Sequence, residues 1–182
     1  MDKIKEIVPV YDGKFLHFYN FKLESGRNYE VVSRQKFKDI NKIKTDAVDI
    51  IALSPDLRKV LVIKEWRVPV NDYIYAFPAG LCEPNEDIIT TAKRELFEET
   101  GLEIQNILDI LPPAYQSAGM SNEAVATVIC TATGEVTNKN ATKDEDICPM
   151  WITEEQVTNI VFKNKISGRC QMFLYLFMVE EN

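Results

Sequence analysis

The chain has 182 residues, 46% of them hydrophobic, and a formal net charge of -7. That length suits one domain with a real core, or one domain with a small appendage, and the acidic balance argues against nucleic-acid binding because no basic stripe exists to collect phosphates. The cysteines at 82, 130, 148 and 170 show neither C-x-x-C spacing nor a zinc pattern, MDKIKEIVPVYDGK lacks the apolar run of a signal peptide, and the apolar MFLYLFMV is too short to span a bilayer, which together point to reduced thiols in the cytoplasm and no membrane partner.

In chain order, three antiparallel strands are expected first, over Ile4–Tyr11, Lys14–Leu23 and Tyr29–Gln35, with Asp12-Gly13 and Ser25-Gly26 as turns. The single histidine, His17, falls in the aromatic stretch KFLHFYNF, where packing is the expectation and ligation is not. Buried-strand signals follow at Ala47–Leu53 and Lys59–Glu65. Pro84, Asn85, Glu86 and Asp87 then mark a helix start, because proline suits the approach to a first turn and acids favour the positive end of the dipole. Gly101 marks its left-handed stop. Between these signals Ile88, Ile89, Ala92 and Leu96 recur at three- and four-residue steps, one apolar stripe for a core. Further strands are expected near Leu102–Ile110, Ala124–Thr131 and Ile147–Ile152; Thr153-Glu-Glu-Gln156 opens a helix by the capping-box rule, and a last helix begins after Gly168.

The acids of the central helix carry the chemistry. Glu95, Glu98 and Glu99 stand at i, i+3 and i+4, so their carboxylates crowd one patch near the helix C-terminus, where the dipole already disfavours negative charge. Solvated like-charge pairs cost only a few tenths of a kcal/mol, so an acidic face alone would be ordinary. Gly80, Glu86, Arg94 and Gly101, however, sit at spacings that helix-building does not demand. Hard carboxylate oxygens without a nearby His or Cys select Mg²⁺ or Mn²⁺ over zinc. Arg94 and Glu98 form an i, i+4 pair, and a long arginine can also reach back toward the acidic helix start.

From Gly80 to Leu102, seven identities (Gly80, Glu86, Arg94, Glu95, Glu98, Glu99, Gly101) and two apolar positions (Leu96, Leu102) match without a gap the signature of the Nudix hydrolases, which this chain therefore resembles. The resemblance implies an α/β (α+β) architecture, the α/β/α sandwich with a mixed sheet, preceded by a small N-terminal antiparallel sheet. Residues 1–45 would be strands for dimerisation and substrate contact, and 46–182 the hydrolase domain. It further implies that Glu95 and Glu99 ligate divalent metal directly and that Glu98 binds or orients a further ion or its waters. The Ala79 carbonyl would be another ligand, and Arg94 and Glu86 would brace the loop.

Resemblance to ADP-ribose pyrophosphatase-like members extends beyond this box. KEWRVPVNDYIYAFPAG is similar to their approach to it, which gives Arg67 a contact with the substrate diphosphate or ribose. A glutamate on a loop beyond the box serves them as general base, a place held here by Glu145 with Asp144 and Asp146 beside it. NYEVVSR resembles their adenine-reading strand, in which Tyr29 would stack a base, Glu30 would accept from its exocyclic amine and Arg34 completes the pattern. SAGMSNE resembles their substrate loop and assigns substrate contacts to Gly119 and Met120. Two positions depart from that group: Ala118 stands where proline is usual, and Ala76 where an acid usually precedes the aliphatic-Pro-Ala-Gly ending.

The activity implied is metal-dependent hydrolysis of ADP-ribose to AMP and ribose 5-phosphate, or the same chemistry on another nucleoside diphosphate sugar such as GDP-mannose. An alternative of a different class is a catalytically silent nucleotide-sugar sensor, although sensors of this fold tend to lose box glutamates and all four box acids are present here. A homodimer with twofold symmetry is the implied assembly.

Overall fold

The computed structural model describes residues 1–37, 44–141 and 146–179. The chain divides into two compact units, Met1–Ala47 with Pro112–Ala126, and Val48–Leu111 with Thr127–Asn182.

In the first unit, β1 (Ile4–Asp12), β2 (His17–Leu23) and β3 (Asn28–Ser33) form an antiparallel sheet in that order. The register sets Phe21 opposite Tyr29 and Tyr19 opposite Val31, so these residues share one face by strand alternation. That face is the core of the unit, where Tyr19, Phe21 and Val31 pack with Ile7 and Phe37. The Phe37 ring meets Tyr19 and Phe21 edge-on at 4.8 and 5.3 Å, the geometry that aromatic quadrupoles favour. His17 is buried and its Nδ1 lies 2.5 Å from Asp12, a pairing internal to this sheet.

Seven strands make the second sheet: β4 (Ala47–Leu53), β5 (Lys59–Arg67), β6 (Asp72–Ala76), β7 (Ala79–Leu81), β8 (Glu103–Tyr115), β9 (Ala124–Thr133) and β10 (Ile147–Thr153). Their order is β10-β5-β4-β9-β8, with β6 on β5 and β7 on β4. Helices α1 (Ile88–Thr100), α2 (Glu154–Lys163) and α3 (Gly168–Val179) complete the chain. Strand alternation sends Val48, Ile50 and Ala52 of β4 and Leu61 of β5 against Ala92 and Leu96 of α1. It sends Ile51, Val60 and Val62 the other way, against Val157, Ile160 and Val161 of α2 and Cys170 and Leu174 of α3. The near-continuous apolar runs of β4 and β5 follow from this burial on both faces, and the result is the expected α/β/α sandwich. Each fully buried Leu, Ile or Val contributes about 1.5–3 kcal/mol of transfer free energy.

Helix ends follow local chemistry. Asp87 caps α1, its carboxylate accepting from the Thr90 N–H at 2.7 Å, so Glu86 precedes the helix and is left for other partners. Gly101 closes α1 with φ +73°, donating its N–H to the Phe97 carbonyl at 2.9 Å. A Cβ there would fall 2.4 Å from Thr137 Cγ2, a second reason for glycine. Thr153 and Gln156 form the capping box of α2. Strand β8 runs further than periodicity suggested, through Pro112 and Pro113, because an edge position does not need every N–H in a ladder. Among the described residues no helix is long and apolar enough to cross a membrane.

Candidate active site

The site is built where β7 meets α1. A Cβ on Gly80 would lie 1.8 Å from the carboxyl carbon of Glu95, so any side chain there would displace that carboxylate from its place against the strand. One residue earlier, the Ala79 N–H donates to Glu99 Oε2 at 3.1 Å. Glu95 and Glu99 are 8% and 5% exposed. Two carboxylates one helical turn apart are thus withdrawn from water, and charged groups tolerate that only with compensating donors or cations.

Arg94 supplies much of the compensation. Its Nε donates to Glu86 Oε1 and its Nη2 to Glu86 Oε2, both at 2.9 Å. Nη1 reaches Glu95 Oε1 at 2.7 Å and Glu98 Oε2 at 3.2 Å, and Nη2 also meets the Leu81 carbonyl at 3.1 Å. The fork geometry of guanidinium makes this hub possible. Glu86 is the clasp of the loop, accepting in addition from Thr91 Oγ1 at 3.0 Å. The Arg94 guanidinium pulls the Glu86 carboxyl down to about 2, and the facing acids, Glu86 foremost, push the Arg94 pKa up.

That depression has a pH signature. A carboxyl with a lowered folded-state pKa binds fewer protons folded than unfolded, so its stabilisation is complete above the ordinary value of 4.5 and is lost as pH falls toward about 2. In metal-free protein, the urea midpoint of the wild type is expected to fall across that window more steeply than that of Glu86→Gln. Parallel curves for the two proteins would refute the clasp.

Among the described residues, no three or more His, Cys, Asp or Glu side chains stand together as a complete metal cage. The donor set nonetheless fits a hard divalent cation. Such an ion keeps several waters and takes only one or two protein carboxylates, and Glu95 and Glu99 are placed beside a strand backbone, with the more exposed Glu98 on the same helix. Burial pushes the thiols of Cys130 and Cys170 up to about 12, which disfavours the thiolate form that a metal would need at those two positions.

Arg67 lies at the end of β5, on the face shared by Leu61 and Ile63, which is the face that carries α1. Its Nη2 is 2.8 Å from Glu65 Oε1, two residues back on that face. Glu145 and Asp144 lie outside the described residues. Asp146 is described, and its carboxylate accepts from the Tyr73 hydroxyl while its carbonyl accepts from the Trp66 N–H at 3.1 Å.

Four of the remaining candidates meet within the first unit. The Tyr29 hydroxyl donates to the Gly119 carbonyl at 2.7 Å, the Val32 N–H donates to the Met120 carbonyl at 2.9 Å, and Arg34 pairs with Glu123. Tyr29, Ala118 and Met120 line a cleft of about 460 Å³ with Phe21, Val31 and Phe37. Glu30 is not brought to this face: it sits opposite Asn20, and alternation points it away from Tyr29. Sequence reasoning missed Glu65 and Glu123. The i, i+2 spacing of Glu65 and Arg67 on one strand was a usable signal; Glu123, 89 residues from Arg34, had none.

A model of the NUDIX domain matches residues 43–171. The ADP-ribose pyrophosphatase of Bacillus subtilis is 30% identical over 121 residues, covering 66% of this chain and 64% of that protein. The ADP-sugar pyrophosphatase of Mus musculus is 31% identical over 98 residues, 50% and 44% of the two chains. Nucleoside diphosphate-linked moiety X motif 6 of Mus musculus is 32% identical over 121 residues, 65% and 38%. The chain thus spans less than two thirds of the length of each of these relatives. A solved structure described as an ADP compounds hydrolase superposes over 99% of this chain and 95% of that one with a TM-score of 0.70 and 18% identity, a likeness of fold.

Proposed function

The chain belongs to the Nudix family, and from that premise we propose that it hydrolyses the diphosphate of ADP-ribose, or of a related nucleoside diphosphate sugar, with the help of Mg²⁺ or Mn²⁺. The observation that carries this reading is the pair of buried carboxylates, Glu95 and Glu99, set against Gly80 and Ala79 by Arg94. The names of two relatives near 30% identity support the choice of ADP-linked substrates.

In this reading Glu95, Glu99, Glu98 and the Ala79 carbonyl hold the cations. Bound there, divalent ions neutralise diphosphate oxygens and lower the pKa of water. Arg94 keeps Glu95 and Glu98 in position and Arg67 grips the diphosphate, converting binding into orientation. Glu145, or a neighbour among Asp144 and Asp146, takes a proton from water as its oxygen bonds to one phosphorus. The bridging P–O bond breaks and the departing phosphate takes its proton from solvent, so AMP and ribose 5-phosphate together contain the elements of ADP-ribose plus water. Tyr29, with Gly119, Met120 and Arg34, holds the base end. The departures at Ala76 and Ala118 weaken the choice of ADP-ribose and not the hydrolysis, which gives one second reading, the same chemistry on another nucleoside diphosphate sugar such as GDP-mannose.

Chromatography of products from ADP-ribose, GDP-mannose, UDP-glucose, NADH and diadenosine polyphosphates, with Mg²⁺ and then Mn²⁺, tests the proposal. AMP and ribose 5-phosphate arising chiefly from ADP-ribose is the expected result. Turnover of GDP-mannose instead selects the second reading, and silence across the panel overturns hydrolysis in favour of a nucleotide-sugar sensor.

We also propose a C2 homodimer in the cytoplasm. Support comes from exposed apolar side chains on and after β1 (Val10, Tyr11, Phe15, Leu16) and on the edge strand β8 (Ile107, Leu108, Leu111), since long apolar edges invite pairing. Sedimentation equilibrium at micromolar concentration should return twice the chain mass; a monomer removes the proposal.

A further inference from the structure

We infer that Glu65 is the positioning residue for Arg67, holding its guanidinium by an ion pair at Nη2 so that the remaining donors are presented as a preformed anion grip. This inference rests on the proposed hydrolysis of a nucleoside diphosphate sugar, and it assigns a role to a residue that the box does not contain.

Glu65 is buried, its side chain 9% exposed, whereas the Arg67 side chain is 52% exposed. The buried member of the pair is therefore fixed and the exposed member is the one it can steer. Glu65 gains its fixity from both neighbours of β5, standing opposite Ile74 of β6 and Ile147 of β10. Arg67 is fixed at its backbone as well: it leads into a 3₁₀ turn over Val68–Val70, and its carbonyl accepts from the Asn71 N–H at 2.9 Å. What is left to chance is the long side chain, and the 2.8 Å contact of Nη2 with Glu65 Oε1 removes much of that freedom. Guanidinium carries five N–H donors and the ion pair with Glu65 is made through Nη2, so donors remain for phosphate oxygens. Among the described residues this is the one ion pair of Arg67. The cross-strand position that could have offered a competing acid, diagonal to Glu65, is Ala76, which is buried beside Ile63 and Ile147.

Ordering Arg67 before substrate arrives lowers the entropic cost of binding, so the effect belongs in KM. With ADP-ribose and Mg²⁺, Glu65→Ala should raise KM about tenfold with kcat within about twofold, the pattern of lost uniform binding. Glu65→Gln, which keeps an acceptor oxygen at the same reach, should stay within about threefold of wild type in KM. Arg67→Ala should raise KM at least as far, and Glu65→Ala in that background should add nothing, since residues acting through one another are not additive.

An unchanged KM in folded Glu65→Ala, or effects that multiply in the double variant, would overturn the inference while hydrolysis stands. A normal KM in Arg67→Ala would overturn it too, together with the role of Arg67. Should Glu65→Ala fail to fold by circular dichroism, Glu65→Gln against Arg67→Ala decides: a Gln variant as impaired as Arg67→Ala sinks the positioning role. A wild type inert toward every nucleoside diphosphate sugar removes this inference and the proposed function together.

Discussion

Glu99→Gln and Glu95→Gln are each expected to cut turnover by at least about a thousandfold while the protein stays folded. Glutamine has the shape of glutamate and keeps an acceptor, so the 3.1 Å bond from the Ala79 N–H to position 99 can persist. The packing of Ala92 and Leu96 on the sheet, which holds α1 in place, is untouched. What disappears is one negative charge from a buried patch where a divalent cation would be held. A thousandfold corresponds to roughly 4 kcal/mol of lost transition-state stabilisation. Steady-state kinetics on ADP-ribose at saturating Mg²⁺, with circular dichroism as the control for folding, makes the measurement. Near-wild-type turnover in either folded variant would refute the metal-ligand assignment.

Arg94→Lys should be nearly as damaging, and unlike the glutamine variants it should also weaken the fold. One guanidinium serves Glu86 twice, Glu95, Glu98 and the Leu81 carbonyl. Lysine keeps the charge but offers a compact ammonium with three donors and no fork, so it cannot span these partners at once. Hydrogen bonds to charged groups are worth about 1.5–3 kcal/mol each, and replacement partners recover part of that. A net loss on the order of 2 kcal/mol would lower the melting temperature by about 5 °C in a chain this long. Activity should fall about a hundredfold, because Glu95 and Glu98 lose the group that orients them, and misplacement of about 1 Å can cost that much. Calorimetry and kinetics on the same preparation check both effects. A lysine variant as stable and as active as the parent would show that the hub is ordinary surface pairing.

The roles of the two glycines divide in an instructive way. Gly101 could be read from sequence as a helix stop, because left-handed closure after an apolar-periodic run is a local property. Gly80 could be read only as a member of a pattern. Its physical reason, the Glu95 carboxylate lying where a Cβ would be, depends on how β7 and α1 pack. Ala76 is similar: its departure from the usual acid is visible in sequence, but its burial against Ile63 and Ile147 is not.

By itself the sequence determined the box and its helix, the strands of both sheets except the short β6 and β7 to within a few residues, and the likeness that leads to the family. All of these depend on periodicity, capping and spacing within short windows, where each residue constrains its neighbours directly. Tertiary structure alone decided that Pro112–Ala126 clusters with the N-terminal strands and that Tyr29 meets Gly119 while Glu30 turns away. It also decided that Arg67 is held by Glu65 on the α1 side of the sheet. Those outcomes hang on strand register and on contacts between residues far apart in the chain. A one-residue slip in register would exchange the faces, and no local pattern in the sequence records such a choice.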